Sequence, residues 1–281
     1  MARWLVLVLW GSTMTLTGCR QPQVIEIASA GSPTVHYLPD YEALVDSTTG
    51  FATTNHLVVF NPGDQRATIR ITIFFEDRDP APFTLTVPAA TSIESNASQW
   101  PVPANERFAL MLESDQPVIA QATIGWTNTL NDYRLNARPP GGGQARETAL
   151  SYLAHRARAT RWMIADGLVL QTADLFIRES EWAVILNPSS DTARIVIAAG
   201  LGRWRQVRQT MVPPRRVRAI AMDSLVAHNT HYGAEVRSNV PIVVNWRRTV
   251  QWPDRPDLMA FWSVPMVGWN NVGSAVMPIP R

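Results

Sequence analysis

Residues 57–64 (LVVFNPGD) decide the fold of this chain, because their pattern returns at residues 183–191 (AVILNPSSD). In both stretches a short apolar run ends in an Asn-Pro pair. Such a pair favours a tight turn, because proline fixes φ and asparagine bonds nearby backbone groups. After the first turn, apolar and polar residues alternate over residues 68–74 (TIRITIF), which is typical of a strand with one face in water. Both stretches therefore predict a strand, a tight turn and a second strand.

Two further pairs of turn signals extend the repeat. Val-Pro at residues 87–88 returns at 212–213, and residues 113–118 (ESDQPV) return as 237–242 (RSNVPI). The three pairs are offset by 126, 125 and 124 residues, so they keep one order, and a period of this kind indicates a duplicated unit. Short β-branched segments lie between the signals and favour a sandwich in each unit. The sequence thus predicts an all-β chain of two tandem antiparallel β-sandwich domains.

The expected domain boundaries are residues 35–155 and 160–268, with a C-terminal tail at 269–281. Between the domains, residues 139–143 (PPGGG) are the clearest flexible stretch. They lie either in a long loop near the end of domain 1, so that residues 146–153 form its last element, or in a plain linker between the domains.

Segments in both units resemble the sensory rhodopsin transducer family. The resembling segments are residues 74–80 (FFEDRDP), 85–89 (LTVPA), 112–118 (LESDQPV), 162–167 (WMIADG) and 247–261 (RRTVQWPDRPDLMAF). The resemblance covers about residues 35–155 and 160–268. It implies small β-sandwiches that form homo-oligomers and work by binding, with similarity to carbohydrate-binding folds. It also implies an alternative function, that of a signalling adaptor related to these transducers.

The N-terminus has the composition of a bacterial lipoprotein signal peptide. Arg3 precedes an apolar run at residues 4–10 (WLVLVLW), and residues 16–19 (LTGC) resemble a lipobox that ends in the only cysteine of the chain, Cys19. The alternatives are an ordinary signal peptide with a chance cysteine and an uncleaved anchor. The apolar run is shorter than the ~20 residues that span a bilayer. We therefore expect a signal peptide at 1–18 and a lipid on Cys19.

A lipid on Cys19 would fix the compartment of the protein. The membrane is then a partner through the lipid, residues 19–34 form a tether, and the body lies in the cell envelope, outside the cytoplasm. Arg20 follows the cysteine where an aspartate would retain a lipoprotein at the inner membrane, so the outer membrane is expected if the cell has two.

The charge of the chain is divided between its two halves. Residues 20–150 contain 8 arginines against 14 acidic residues (net −6), and residues 151–281 contain 16 against 9 (net +7). Opposite net charges suit contact between the domains or with a charged partner. All 25 basic residues are arginine, which reflects either a GC-rich genome or a need for bidentate contacts with anions.

The densest basic region supplies the candidate ligand or interface residues. Alternation along a strand places Arg203 and Arg205 on one face, and Arg216 and Arg218 on one face of the next strand. If these strands pair as a hairpin, their guanidinium groups form one stripe for phosphates, an acidic glycan or the acidic first domain, whereas a solvated edge is the alternative. An exported lipoprotein does not meet nucleic acid. The candidates are Arg203, Trp204, Arg205, Arg208, Arg216 and Arg218.

The sequence contains no Gly-x-Ser-x-Gly elbow, no His-Glu-x-x-His helix, no phosphate-binding P-loop and no dinucleotide fingerprint. His228 and His231 have a chelating spacing, but zinc needs further ligands from Asp223 or Glu235, and we favour a polar loop as the explanation of the pair. Residues 76–79 (EDRD) contain three carboxylates, and a glycosidase needs two at a defined separation, which this sequence does not set. A hairpin tip is the alternative explanation of these residues. We expect no enzyme, cofactor or metal site, and a binding or assembly module for an acidic glycan or protein, with a glycan-active envelope enzyme as a further alternative.

Overall fold

The structure, a computed structural model, describes residues 34–46, 51–128, 148–169, 171–172, 177–200, 205–227, 229–252, 255–265 and 267–269. Every strand pair in these ranges is antiparallel. The one helical element among them is a 3-10 turn at Ala97–Gln99, and no helix there is long and apolar enough to cross a membrane. The predicted all-β fold is therefore confirmed.

Domain 1 contains nine strands in two sheets. They are β1 (Thr34–Ala43), β2 (Val45–Asp46), β3 (Phe51–Asn61), β4 (Ala67–Phe75), β5 (Ala81–Val87), β6 (Thr91–Asn96), β7 (Glu106–Ser114), β8 (Ile119–Asn128) and β9 (Thr148–Leu153). Sheet A has the order β1-β7-β4-β5. Sheet B has the order β3-β8-β9, with β2 and β6 along the other side of β3.

Domain 2 repeats this arrangement. Its strands are β10 (Ala159–Val169), β11 (Gln171–Thr172), β12 (Ile177–Asn187), β13 (Ala193–Gly200), β14 (Gln206–Val212), β15 (Arg216–Ala221), β16 (Thr230–Trp252), β17 (Arg255–Pro265) and β18 (Val267–Trp269). Sheet C has the order β18-β10-β16-β13-β14, and sheet D has the order β12-β16-β17, with β11 and β15 along the other side of β12. Sheet C corresponds to sheet A and sheet D to sheet B, so the tandem sandwich is confirmed.

The long strand β16 belongs to both sheets of domain 2. Up to Ser238 it pairs with β10 and β13, and from Val243 it pairs with β12 and β17. The sequence predicts two strands here, separated as β7 and β8 are in domain 1. The same hydroxyl contact occurs at both crossings, because Ser114 Oγ accepts from the Gln116 amide and Ser238 Oγ from the Val240 amide, each at 3.3 Å. In domain 2 the backbone passes from sheet to sheet without leaving the extended conformation.

Asn61 and Asn187 occupy the same turn in the two domains. Each side chain is fully buried. Asn61 Nδ2 contacts the carbonyls of Gln65, Val87 and Pro88 at 2.7–3.2 Å. Asn187 Nδ2 contacts the three matching carbonyls, those of Asp191, Val212 and Pro213, at 2.8–3.1 Å. The Asn-Pro pairs therefore mark equivalent positions, as the duplication requires.

The last strand of domain 1 settles one of the alternatives left by the sequence. Residues Thr148–Leu153 form β9, which pairs with β8 as β17 pairs with the second half of β16. Residues 146–147 precede the strand and lie outside the described residues, as does the 139–143 stretch. The end of the 146–153 segment is therefore part of the sandwich.

Domain 2 covers part of the outer face of sheet A. The buried residues Tyr37, Phe74 and Ala109 of domain 1 belong to the same apolar cluster as the core of domain 2, and Met111 packs against it. Along β4, buried and exposed side chains alternate only as far as Ile71. Thr72 and Phe74 point away from the core of domain 1, but they are only 4% and 1% exposed, because domain 2 covers this part of the sheet. The face of this strand that the sequence predicts to be exposed to solvent is therefore buried over the second half of the strand.

Candidate binding surface

A buried ion-pair network joins the domains. Arg247 Nη1 of β16 lies 2.5 Å from Glu42 Oε2 and 3.4 Å from Asp40 Oδ1, both on β1. Arg107 of β7 contacts Glu42 at 3.5 Å and lies over the Trp182 ring of β12, 5.4 Å from its centroid. The network fixes sheet D of domain 2 against sheet A of domain 1.

The charges of this network depend on each other. Burial alone would raise the pKa of Glu42, but Arg247 and Arg107 outweigh it and lower that pKa. Burial would lower the pKa of Arg247, but Asp40 and Glu42 raise it. Breaking a buried pair is costly because the remaining charge keeps its desolvation penalty. The network therefore holds the domains in one arrangement.

The acidic turn after β4 also contacts domain 2. Asp79 Oδ1 accepts from Arg216 Nη2 at 3.0 Å, and Glu76 Oε1 accepts from the Ala219 amide at 3.0 Å. Both acidic residues are exposed. These two carboxylates of the acidic group at residues 76–79 therefore serve as contacts with β15.

Three arginines surround one buried carboxylate on the outer face of sheet C. Glu235 is 5% exposed, and its oxygens contact Arg161 Nε, Arg205 Nη2 at 2.9 Å, and Arg237 Nε and Nη2 at 2.8 and 2.9 Å. The arginine side chains are 37%, 45% and 49% exposed. Three cations around one anion leave a net charge of +2 at this point. We call these four residues the arginine cluster.

The arginine cluster keeps hydrogen-bond donors for a ligand. Burial alone would raise the pKa of Glu235, but hydrogen bonds and charge from Arg237 and Arg161 lower it, so the carboxylate stays ionised and holds the guanidinium groups in place. A guanidinium has five N–H donors, and Glu235 uses one or two from each. The remaining donors suit carboxylate, sulfate or phosphate oxygens.

The same positions in domain 1 have a different role. Strand register places Val35 at the position of Arg161, Met111 at that of Glu235 and Glu113 at that of Arg237. Met111 packs against domain 2. One face of the repeated unit is therefore a docking face in domain 1 and a charged face in domain 2.

The structure separates the predicted arginine stripe. β14 pairs with β13 and β15 pairs with β12, so the two strands do not form the hairpin that the stripe requires. Arg205 joins the arginine cluster, and Arg208 Nη1 donates to Ser224 Oγ. Arg216 contacts domain 1, and Arg218 Nη1 donates to the Met211 carbonyl at 2.9 Å. Arg203, Trp204 and Cys19 lie outside the described residues.

Sequence reasoning considered Glu235 only as a zinc ligand and missed Arg161 and Arg237. The alternation of Glu235 and Arg237 along one strand was the available signal, because residues two apart share a face. The position of Arg161 beside them depends on strand pairing. Asp223 Oδ1 accepts from the Glu181 amide, and the described residues contain no group of three metal-ligating side chains. His228 is not described.

Comparisons with known proteins agree with the repeat. A family model described as Anabaena sensory rhodopsin transducer matches residues 35–130 and again residues 157–260. No curated protein matches the chain. Among solved structures, Thermotoga maritima 1070 is 20% identical with a TM-score of 0.33, over 43% of this chain and 92% of that chain. The Anabaena sensory rhodopsin transducer is 26% identical with a TM-score of 0.29, over 32% of this chain and 87% of that chain.

Proposed function

Because the chain belongs to the Anabaena sensory rhodopsin transducer family through both of its domains, we propose that it is a lipid-anchored envelope protein that binds an acidic ligand without catalysis. The ligand site is the arginine cluster of sheet C. The ligand presents closely spaced carboxylate, sulfate or phosphate groups, as an acidic glycan or an acidic protein segment does.

The net charge of the arginine cluster carries this proposal. Glu235 neutralises one of three guanidinium groups and orients all of them, while each remains more than a third exposed. A preoriented site loses less side-chain entropy on binding than three free arginines would. In domain 1, Met111 stands at the position of Glu235 and packs against domain 2, so the repeated unit has an arginine cluster only in domain 2.

Binding to defined polyanions tests the ligand class. A sulfated polysaccharide, polygalacturonate and polyglutamate represent sulfated glycan, carboxylated glycan and acidic protein, and isothermal calorimetry measures each. We expect Arg161→Gln with Arg205→Gln and Arg237→Gln to weaken binding at least tenfold. Wild-type binding should weaken as salt shortens the Debye length below about 8 Å.

Arg66→Gln with Arg70→Gln and Arg194→Gln is the matched control, because it removes the same charge from exposed positions outside the cluster. If the affinity falls equally in both triple variants, the polyanion responds only to the overall positive charge of the protein, and the proposal is contradicted.

The lipid anchor is supported by the sequence of the N-terminus. Cys19→Ser should leave an unprocessed or soluble protein, because the lipobox then has no thiol to modify. Detergent phase partitioning compares it with the wild type. Equal partitioning of the two proteins would contradict the anchor.

A signalling adaptor is the second candidate, and family membership favours it. An adaptor of this family would need to remain in the cytoplasm, whereas the lipid anchor requires export. Protease treatment of spheroplasts, in which no outer membrane shields the envelope, distinguishes the two: digestion of the protein supports the envelope function, and protection supports the adaptor.

A further inference from the structure

The outer face of sheet C carries exposed apolar side chains beside the arginine cluster. Across the sheet, Met163 lies opposite Glu235. Glu235 lies opposite Ala198, and Ala198 lies opposite Val207, so these side chains form one row on the same face. Met211 shares this face because it is four residues from Val207 on one strand. Met163 is 37% exposed, and Val207 and Met211 are each 57% exposed, so the anion site has apolar side chains on both sides of it.

The same face is strongly basic. Arg194 is exposed on it, opposite Met211, and adds a fourth arginine to the three of the arginine cluster. Glu235 is the only acidic residue in the strand segments around the cluster, which are residues 159–163, 193–200, 205–212 and 230–238. Four cations against one anion leave a net charge of +3. A negatively charged lipid surface attracts arginines of this kind, and its interface also takes up exposed apolar side chains.

The acidic domain lies on the far side of domain 2 from this face. Sheet D packs on sheet A of domain 1 through Arg247 and Trp182, whose side chains point out of the sandwich of domain 2. The outer face of sheet C is the opposite face of the same sandwich. Domain 1 belongs to the half of the sequence with a net charge of −6. An anionic surface therefore attracts the face of sheet C and repels the domain behind it.

We propose that the arginine cluster binds the phosphate groups of anionic lipids and that the outer face of sheet C lies on a membrane surface. Met163, Val207 and Met211 then contact the boundary between head groups and acyl chains. This inference rests on the proposed function, because it takes the arginine cluster as the anion site and names the source of the anion. A glycan or polyglutamate satisfies the same N–H donors but leaves the apolar side chains in water, so the lipid surface fits the whole face better.

The proposed lipid on Cys19 is compatible with this orientation. Fifteen residues separate Cys19 from Thr34, where β1 begins, and they span at most about 50 Å. Thr34 belongs to sheet A, and stacked sheets lie about 10 Å apart. Two such spacings, from sheet A to sheet D and from sheet D to sheet C, leave sheet C within reach of the membrane that holds the anchor.

Fluorophores on single cysteines test which face meets the membrane. In the full chain with Cys19→Ser, Val207→Cys carries an environment-sensitive fluorophore on sheet C, and Phe60→Cys carries it on the outer face of sheet B, where Phe60 is 40% exposed. Vesicles of equal parts phosphatidylcholine and phosphatidylglycerol should shift the emission of the first variant to the blue and leave the second unchanged. Vesicles of phosphatidylcholine alone should shift neither. Both variants contain the apolar run at residues 4–10, so insertion of that run affects them alike.

Co-sedimentation with the mixed vesicles tests the apolar part of the contact. Val207→Ser with Met211→Ser should weaken vesicle binding at least about fivefold, because membrane binding scales with the apolar area inserted. The same variant should bind the polyanions in calorimetry as tightly as the wild type does. Val45→Ser with Leu153→Ser is the matched control, since it removes side chains of 53% and 49% exposure from domain 1 and should leave vesicle binding unchanged.

The outcomes separate this inference from the proposed function. Polyanion binding that depends on the three arginines, without a blue shift at Val207→Cys, would overturn the inference and leave a glycan or an acidic protein as the ligand. Equal shifts at Val207→Cys and Phe60→Cys, or equal losses of vesicle binding in the two serine pairs, would also overturn it. A triple arginine variant that binds vesicles and polyanions as tightly as the wild type would overturn both proposals.

Discussion

Replacing Arg247 with methionine removes the cation that holds two acidic residues of domain 1. Arg247 is 4% exposed and Asp40 is fully buried, so water does not replace the lost partner. Breaking a buried pair in this way costs about 3–5 kcal/mol. For a chain of this size each kcal/mol lowers Tm by about 2–4 °C, so we expect a fall of roughly 6–20 °C.

Differential scanning calorimetry measures this fall, and solution scattering shows whether the domains separate. Arg194→Met is the matched control, because Arg194 is exposed, and it should change the free energy of unfolding by no more than about 0.5 kcal/mol. Adding Asp40→Asn to Arg247→Met should recover part of the loss, since the fully buried charge of Asp40 is then removed and Glu42 keeps its contact with Arg107. If Arg247→Met costs no more than Arg194→Met, the network does not hold the domains and the reasoning is refuted.

Two other predictions concern the repeat and the response to acid. Asn61→Ala and Asn187→Ala should each lower the free energy of unfolding by at least about 2 kcal/mol, because each leaves buried backbone groups without a partner, and chemical denaturation would contradict the equivalence if one were neutral. Burial, helped by the charge of Arg156, lowers the pKa of His36 to about 4, so the folded protein keeps this side chain neutral while the unfolded chain protonates it below about 6.5. Stability should therefore fall as pH falls, by about 2 kcal/mol from pH 6.5 to pH 5 through His36. His36→Gln should flatten the pH profile measured by urea denaturation, and an unchanged profile would refute the assignment.

The turns of this fold could be read from the sequence because the residues that build them are themselves turn signals. Asn61 and Asn187 each contact one carbonyl four residues further on and both carbonyls of a Val-Pro pair. Alternation in residues 68–71 likewise predicts which side chains face the core. The sequence predicts neither that β16 stays continuous nor that Phe74 is covered, since both depend on which sheet and which domain lie beside the strand.

The candidate site was only partly predictable for the same reason. Arg205 stood out because it lies in a dense basic region, but a run of arginines does not show which of them converge. Because of the strand pairing, Arg216 contacts Asp79 of domain 1, whereas Arg205 contacts Glu235. Arg161 lies more than forty residues from Arg205 in the chain, and no local pattern connects it with the other members of the arginine cluster.

The stacking of the two domains has a consequence for growth of the assembly. Sheet D of domain 2 packs on sheet A of domain 1, and a head-to-tail contact of this kind could in principle add unit after unit into a fibre. A further domain could add only through sheet B of domain 1 or sheet C of domain 2, and both lack the residues of the contact. In sheet B, Thr123 stands at the position of Arg247 and His56 at that of Trp182. In sheet C, Leu168 stands at the position of Glu42. Each domain therefore acts as the terminal cap of the other, and this contact does not extend into an open-ended polymer.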